Sequence, residues 1–174
     1  MTVSFPHGWR RSAAPHHLCA CTALLAALLL LPVSTVHAMP NPVVSVDSPA
    51  AFEALGIWLD APLEAEDIRY SIIAGQVAQI QFRMGEDEYT WRAARTDNDI
   101  SGLHDARPGA VELYTLSCGG REVLAQQRAI CGGRHATWRW QGISFSLFTP
   151  RMTDGRAFTA LLLRLAGDAC ANAR

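Results

Sequence analysis

Residues 68–93 read IRYSIIAGQVAQIQFRMGEDEYTWRA, and this stretch decides the fold. Apolar and polar side chains alternate through three short segments, separated by turns at Ala74-Gly75 and Gly85-Glu86-Asp87. Period-two alternation bounded by turn residues is typical of strands with one buried face. Turns this short join antiparallel neighbours, because parallel pairing needs a long crossover. The stretch therefore predicts a three-stranded antiparallel meander.

Further strands are predicted on both sides of the meander. Upstream, residues 41–46 read as a short extended segment. Downstream, the strands are expected over residues 111–117, 121–130, 137–140 and 143–149. Residues 121–130 also suit a helix, but the glycine pairs on both sides favour a hairpin arm.

Two helices are expected at the ends of the domain. Ser48-Pro49 and Gly56 predict a short helix over residues 49–55, with Ser48 as N-cap and Gly56 as the left-handed exit. Near the C-terminus, with Asp154 as cap, apolar residues follow helical spacing. They are Phe158, Leu161, Leu162, Leu165 and Ala169. The predicted fold class is α+β: an antiparallel β-meander sheet of six to seven strands with the C-terminal helix on one face.

Residues 1–38 have the organisation of a secretory signal peptide. Arg10-Arg11 precede an uncharged stretch from Leu18 to Leu31, and Val36-His37-Ala38 forms a small-residue exit. A permanent membrane span needs about 20 apolar residues, so this stretch is marginal as an anchor, and an uncleaved anchor is the less favoured alternative. We expect cleavage after Ala38 in a Sec-type export route, leaving residues 39–174 as one domain in the periplasm or outside the cell.

The charges of residues 39–174 argue against nucleic acid as a partner. This part of the chain has 13 arginines, no lysine and 16 acidic residues, a net charge of −3, with the two signs interspersed. Nucleic-acid binding requires clustered positive charge that displaces counterions from phosphate. An envelope protein or a small ligand is the expected partner class, and no cofactor is expected.

Three cysteines follow the predicted cleavage site, namely Cys118, Cys131 and Cys170. Export to an oxidising compartment predicts a disulfide, and the odd number leaves one thiol over. Cys118–Cys131 is the preferred pair, because the surrounding strands could form two sides of a hairpin; Cys170 as the partner of either is the alternative. A zinc site with His135 is disfavoured, since paired C-x₂₋₄-C ligand spacing is absent.

The loop at residues 97–105 carries two candidate sites. Asp97, Asp99 and Ser101 imitate the start of a calcium loop, but Pro108 stands where the bidentate glutamate should be. Local side-chain-to-backbone turns are the favoured interpretation. Ser101, His104 and Asp105 invite a hydrolase interpretation, although a triad is defined by geometry and not by proximity in sequence.

Trp138-Arg139-Trp140 is the aromatic candidate for binding. Alternation places both indoles on one face of a strand and Arg139 on the other. An outward face would make the tryptophans an anchor for a ligand or partner. The apolar row Ile143, Phe145 and Leu147 favours the inward, core orientation.

Several short motifs together suggest a family. They are Asn41-Pro42-Val43-Val44, Ala54-Leu55-Gly56, Tyr70, Ala78, Phe82, Tyr89-Thr90-Trp91-Arg92, Thr96, Asp99-Ile100-Ser101-Gly102 and Ala136-Thr137-Trp138. The pattern resembles a group of small secreted bacterial domains of unknown function, found as stand-alone exported proteins or lipoproteins. The segment from Cys118 to Cys131 departs from it. The resemblance implies an α+β sheet-and-helix fold and brings no activity.

Three functions are compatible with these observations. The favoured one is a non-catalytic binding or interaction module of the cell envelope. A small periplasmic hydrolase using the 97–105 loop is the second. The third is an envelope assembly or structural factor that pairs with another chain through an exposed strand edge.

Overall fold

The alternating segments form strands of a single antiparallel sheet. The structure is a computed structural model that describes residues 42–103, 109–130, 132–151 and 154–172, and these residues contain eight strands. The strands are β1 (Val43–Val46), β2 (Glu66–Ile73), β3 (Val77–Met84), β4 (Asp87–Ala94), β5 (Val111–Cys118), β6 (Arg121–Ile130), β7 (Gly133–Trp140) and β8 (Ile143–Thr149). The predicted count of six to seven was wrong, because Val43–Val46 pairs with β2 as an edge strand.

The sheet consists of two four-stranded meanders placed side by side. Its strand order is β1-β2-β3-β4-β8-β7-β6-β5, so the last strand of each meander pairs with the other at the centre. The connection after β4 therefore leads to the far edge of the sheet. The ambiguous stretch over residues 121–130 is strand β6, paired on both sides, which confirms the hairpin interpretation.

Side chains alternate between the two faces of the sheet, and the register shows which side chains of neighbouring strands share a face. Ile80, Trp91, Leu147 and Ala136 are successive partners across the sheet, and all four are buried. We call their side the core face and the opposite side the outer face. The core face holds the large aromatic and aliphatic side chains, whose burial contributes most of the stabilisation.

One long helix covers the core face, as predicted. Helix α1 (Gly155–Asn172) packs against β5 and β7 and buries six side chains. They are Phe158, Leu161, Leu162, Leu165, Ala166 and Ala169. Asp154 caps the first turn, since its Oδ1 accepts a hydrogen bond from the Arg156 N–H at 2.8 Å.

The N-terminal helix differs from the expectation in type. Pro49–Leu55 is a 3₁₀ helix, in which Ala51 N–H bonds to Ser48 O and Gly56 N–H to Glu53 O. Seven residues are too few for a well-nucleated α-helix. Gly56 adopts the left-handed exit conformation (φ 64°) as predicted, whereas the Ser48 side chain makes no cap hydrogen bond.

The preferred disulfide, Cys118–Cys131, was wrong. Cys118 is bonded to Cys170 of α1, with their Cα atoms 5.1 Å apart. Cys118 ends β5 beside the start of β6, while Cys131 follows Ile130 at the other end of that ten-residue strand. An extended strand of this length spans roughly 33 Å, and bridged Cα atoms lie within about 7 Å. Cys118 instead points from the core face to the helix.

The export prediction rests on sequence alone. Residues 1–38, including the expected cleavage site at Ala38, lie outside the described residues. In the ranges that are described, no helix is both long enough and apolar enough to cross a membrane.

Candidate functional site

A polar network runs across the outer face where solvent would be expected. Ser71, Gln79, Arg92 and Ser146 are successive partners in the register, and Ser71, Gln79 and Ser146 are buried. Gln79 Nε2 donates to Ser71 Oγ at 3.1 Å, and Arg92 Nε donates to Gln79 Oε1 at 2.7 Å. Each buried polar side chain thus has a partner, which removes the cost of its burial.

The network is buried because the segment after β4 folds back over it. We call residues 96–103 the outer loop. Arg92 Nη1 donates to Ile100 O (3.1 Å) and Ser101 O (2.7 Å), and Ser144 Oγ donates to Thr96 O (2.6 Å). Burial lowers the pKa of Arg92, and Asp99 partly opposes this shift. Only glycine suits position 102, because φ is 70° there and a Cβ atom would clash with the Arg92 guanidinium.

The calcium-like motif forms a local turn, the interpretation that the sequence favoured. Asp99 Oδ1 accepts from Ser101 N–H at 2.8 Å, and Asp99 Oδ2 accepts from Ser101 Oγ at 3.0 Å. Burial raises the pKa of Asp99, but these bonds outweigh it and the net shift is downward. Asp97 forms an ion pair with Arg139. Both carboxylates are therefore engaged by the protein's own groups.

No metal cluster is found in the part of the chain that the structure describes. Cys118 lies on the core face, where it is bonded to Cys170. His135 lies on the outer face, opposite Arg128 in the register. The sheet therefore separates the histidine from Cys118 and Cys170, while Cys131 lies outside the described residues.

His135 and Ser146 form a buried pair that resembles half of a catalytic triad. Their side chains are each 1% exposed, and His135 Nε2 lies 3.0 Å from Ser146 Oγ. On the other side of the ring, Arg128 Nε donates to His135 Nδ1 at 3.3 Å. Because Nδ1 is the acceptor, Nε2 carries the hydrogen and donates it to the serine.

This polarity is opposite to that of a serine hydrolase. A general-base histidine accepts the serine proton at Nε2 while an acid holds Nδ1–H. Here a guanidinium, which stays charged, occupies the place of that acid. Burial, followed by the charge of Arg128, lowers the pKa of His135 to about 4. The pair is thus a structural hydrogen bond in a buried position.

The proposed loop triad is only partly described. Ser101 is buried; its Oγ donates to Asp99 and accepts from Leu103 N–H at 3.1 Å. His104 and Asp105 lie outside the described residues. Both hydrogen bonds of the Ser101 hydroxyl are therefore made within the turn of the outer loop.

A cleft of about 590 Å³ opens between the outer loop and strands β6 to β8. Its side walls carry both signs of charge. The polar and charged lining residues are Asp97, Asn98, Asp99, Glu122, Gln126, Arg128, Thr137, Arg139 and Ser144, with Ile100 and Leu124 adding apolar surface. A cleft of this size and composition suits a ligand or peptide segment that offers apolar surface and paired charges.

The aromatic candidate divides between the two faces. Trp138 is 3% exposed and stacks on Phe145 with ring centroids 5.0 Å apart. Trp140 is partly buried against the same core. Arg139 points to the outer face, lines the cleft and is half-exposed. Of the three residues, Arg139 is the one available to a ligand in the cleft.

Sequence reasoning missed the residues that organise this site. Gln79, Arg92, Arg128 and Ser146 stood at polar positions of alternating strands, which normally indicate solvent exposure. His135 is one of two histidines after the predicted cleavage site, and the sequence suggested it only as a metal ligand or a general base. What these residues share is that they lie next to one another on the outer face of neighbouring strands. This can be recognised only once the strand register is known.

Comparisons with known proteins identify no relative: no family model matches the chain, and neither a curated protein nor a solved structure matches it.

The buried histidine makes stability depend on pH. The unfolded chain binds a proton at His135 below pH 6.5, whereas the folded chain does so only near pH 4. The contribution of neutral His135 to the free energy of unfolding is therefore fully present above pH 6.5. About 3 kcal/mol of it is lost as the pH falls to 4. Urea unfolding at several pH values should show this decline, and His135→Gln should flatten it.

His104→Gln is the matched control for this measurement, because His104 and His135 are the two histidines after the predicted cleavage site. The control should retain the decline between pH 6.5 and 4. A His135→Gln variant with the same slope as the parent would contradict the assignment.

Proposed function

We propose that the chain is an exported, non-catalytic binding module whose partner occupies the cleft beside the outer loop. The partner is an envelope protein or a small ligand. The resemblance to small secreted bacterial domains agrees with this role and adds no activity to it. A disulfide that joins edge strand to helix suits an oxidising compartment, which supports export.

One observation carries the non-catalytic part of the proposal. His135, which lies in the described part of the chain, donates to its serine and accepts from a guanidinium, so it has no free lone pair to remove a proton. General-base catalysis requires that lone pair within reach of the reacting group. Within the described residues, the site therefore offers recognition groups without an activated nucleophile.

The cleft has the features of a recognition surface. Its floor is a rigid sheet, and its rim is a loop held by Arg92 and Ser144. A preorganised surface loses little conformational entropy on binding. Arg139, half-exposed at the rim, is the side chain that we expect to contribute most, since arginine is enriched at binding hot spots.

The proposal is tested by capture from an envelope extract of the source organism. The immobilised chain should retain a specific partner, and Arg139→Ala should retain roughly tenfold less of it. Arg164→Ala is the matched control: Arg164 is also exposed and also ion-paired, with Glu64 on the helix side. Exposed pairs contribute at most about 1 kcal/mol to stability, so both variants should remain folded.

The control separates binding in the cleft from general charge effects. Equal retention by Arg139→Ala and the parent would show that the cleft is not the binding site. An equal loss of partner retention in both variants would show that the interaction is a non-specific attraction between charges. Recovery of no specific component by the parent chain would contradict the proposed function.

A further inference from the structure

Strand β5 forms one edge of the sheet, and among the described residues no strand lies on its far side. It has eight residues, Val111–Cys118, and ends the strand order beside β6. Every second residue of an antiparallel edge strand directs its N–H and C=O away from the neighbouring strand. Natural edges are commonly blocked by proline, lysine or a bulge, and β5 contains none of these.

Three exposed aliphatic side chains lie on the outer face at this edge. Val111, Leu113 and Leu124 are 51%, 63% and 62% exposed. They lie on the same face, because Val111 pairs with Arg128, Leu113 with Gln126, and Thr115 with Leu124. Large aliphatic side chains grouped at an open strand edge are typical of an interaction surface.

We propose that β5 pairs antiparallel with β5 of a second copy of this chain, about a two-fold axis at Leu113. Such an axis, perpendicular to the sheet, keeps the outer faces of both copies on one side. Leu113 then faces Leu113 of the second copy, and Val111 faces Thr115. Because Leu124 lies next to Thr115, the apolar residues of both copies form one continuous stripe.

Charge favours this register over one centred on Glu112. Glu112 is the single charged residue of β5, and its carboxylate accepts a hydrogen bond from Tyr114 Oη at 2.8 Å. An axis at Leu113 sets Glu112 opposite Tyr114 of the second copy, so the two surfaces repeat a contact already made within one chain. An axis at Glu112 would oppose two carboxylates, which is destabilising.

A second copy fits this edge better than the other edge strand does. Pairing of β5 with β1 of another copy would be head-to-tail and would leave a free β1 and a free β5 to add further copies. Pairing of β5 with itself about Leu113 joins residues 111–115 of both copies and closes after two copies. One strand pair makes a small interface, and we therefore expect a dissociation constant that is roughly micromolar or weaker.

The oligomeric state tests the proposal. Sedimentation equilibrium of the purified full chain should show a concentration-dependent dimer. Leu113→Glu places two carboxylates face to face and should weaken association roughly 100-fold or more. Leu63→Glu is the control, since Leu63 is a fully exposed leucine in another part of the chain and its variant should dimerise normally.

Cross-linking tests the register independently of Leu113→Glu, whose added charge could disturb folding. In a Cys131→Ser background, Leu113→Cys should form a disulfide between copies, because opposed Cα atoms lie within about 5.5 Å. Thr115→Cys alone should not, since the two copies of residue 115 are four residues out of register, or roughly 13 Å. A parent chain that stays monomeric at every concentration, a dimer unaffected by Leu113→Glu, or cross-linking at 115 but not 113 would overturn the proposal.

Discussion

The Cys118→Ser/Cys170→Ser double variant is expected to unfold about 4 kcal/mol more easily than the parent chain. The bridge closes a loop with a sequence separation of 52 residues, which contains β6, β7, β8 and most of α1. Removing it restores conformational freedom to the unfolded chain, and a loop of this length is worth about 4 kcal/mol at 25 °C. Urea unfolding of both proteins measures the difference.

Two comparisons assign the loss to this pair. Reductant should lower the stability of the parent by a similar amount and leave the double variant unchanged. Cys131→Ser should keep the bridge, so it should remain as sensitive to reductant as the parent. A Cys131→Ser variant that no longer responds to reductant would show that the bonded pair includes Cys131.

The alternation of residues 68–93 was sufficient to predict the first meander. Each strand buries one face, and each turn has residues that suit it, including Gly75 and Gly85 with positive φ. Local sequence contains this information because pleat and turn geometry are local. Strands β2, β3 and β4 and their antiparallel pairing were therefore correctly predicted.

The order of the strands could not be predicted in the same way. Alternation shows which face of a strand is buried but not which strand lies beside it. The pairing of β4 with β8 joins residues that are 50 or more positions apart, such as Trp91 and Leu147. The prediction of the disulfide pairing was wrong for the same reason, because Cys170 comes close to Cys118 only when the helix packs on the sheet.

The candidate site was predicted only at its rim. The turn at Asp99-Ser101 and the outward position of Arg139 follow from local geometry, and both occur. The buried network beneath the outer loop does not follow, because Gln79 and Ser146 have the pattern of solvated residues. The outer loop covers these polar residues and buries them. The alternation of residues in β3 and β8 gives no sign that a loop will cover their outer face.

Trp138→Ala is expected to destabilise the domain by about 3–5 kcal/mol, the usual cost of removing a buried aromatic side chain. The indole is 3% exposed and stacks on Phe145, so its loss leaves a cavity in the core. This result would separate the core role of Trp138 from the binding role proposed for its neighbour Arg139. Urea unfolding gives the stability, and partner capture gives the binding.

Trp138→Phe is the matched variant for this position. In the described residues the indole Nε1–H has no hydrogen-bond partner, so phenylalanine removes an unsatisfied donor while it preserves ring stacking. We expect it to cost less than about 1.5 kcal/mol, because the change in volume is small. If Trp138→Ala instead left stability unchanged and abolished capture, the side chain would be an exposed anchor, and the inward orientation of this row of β7 would be wrong.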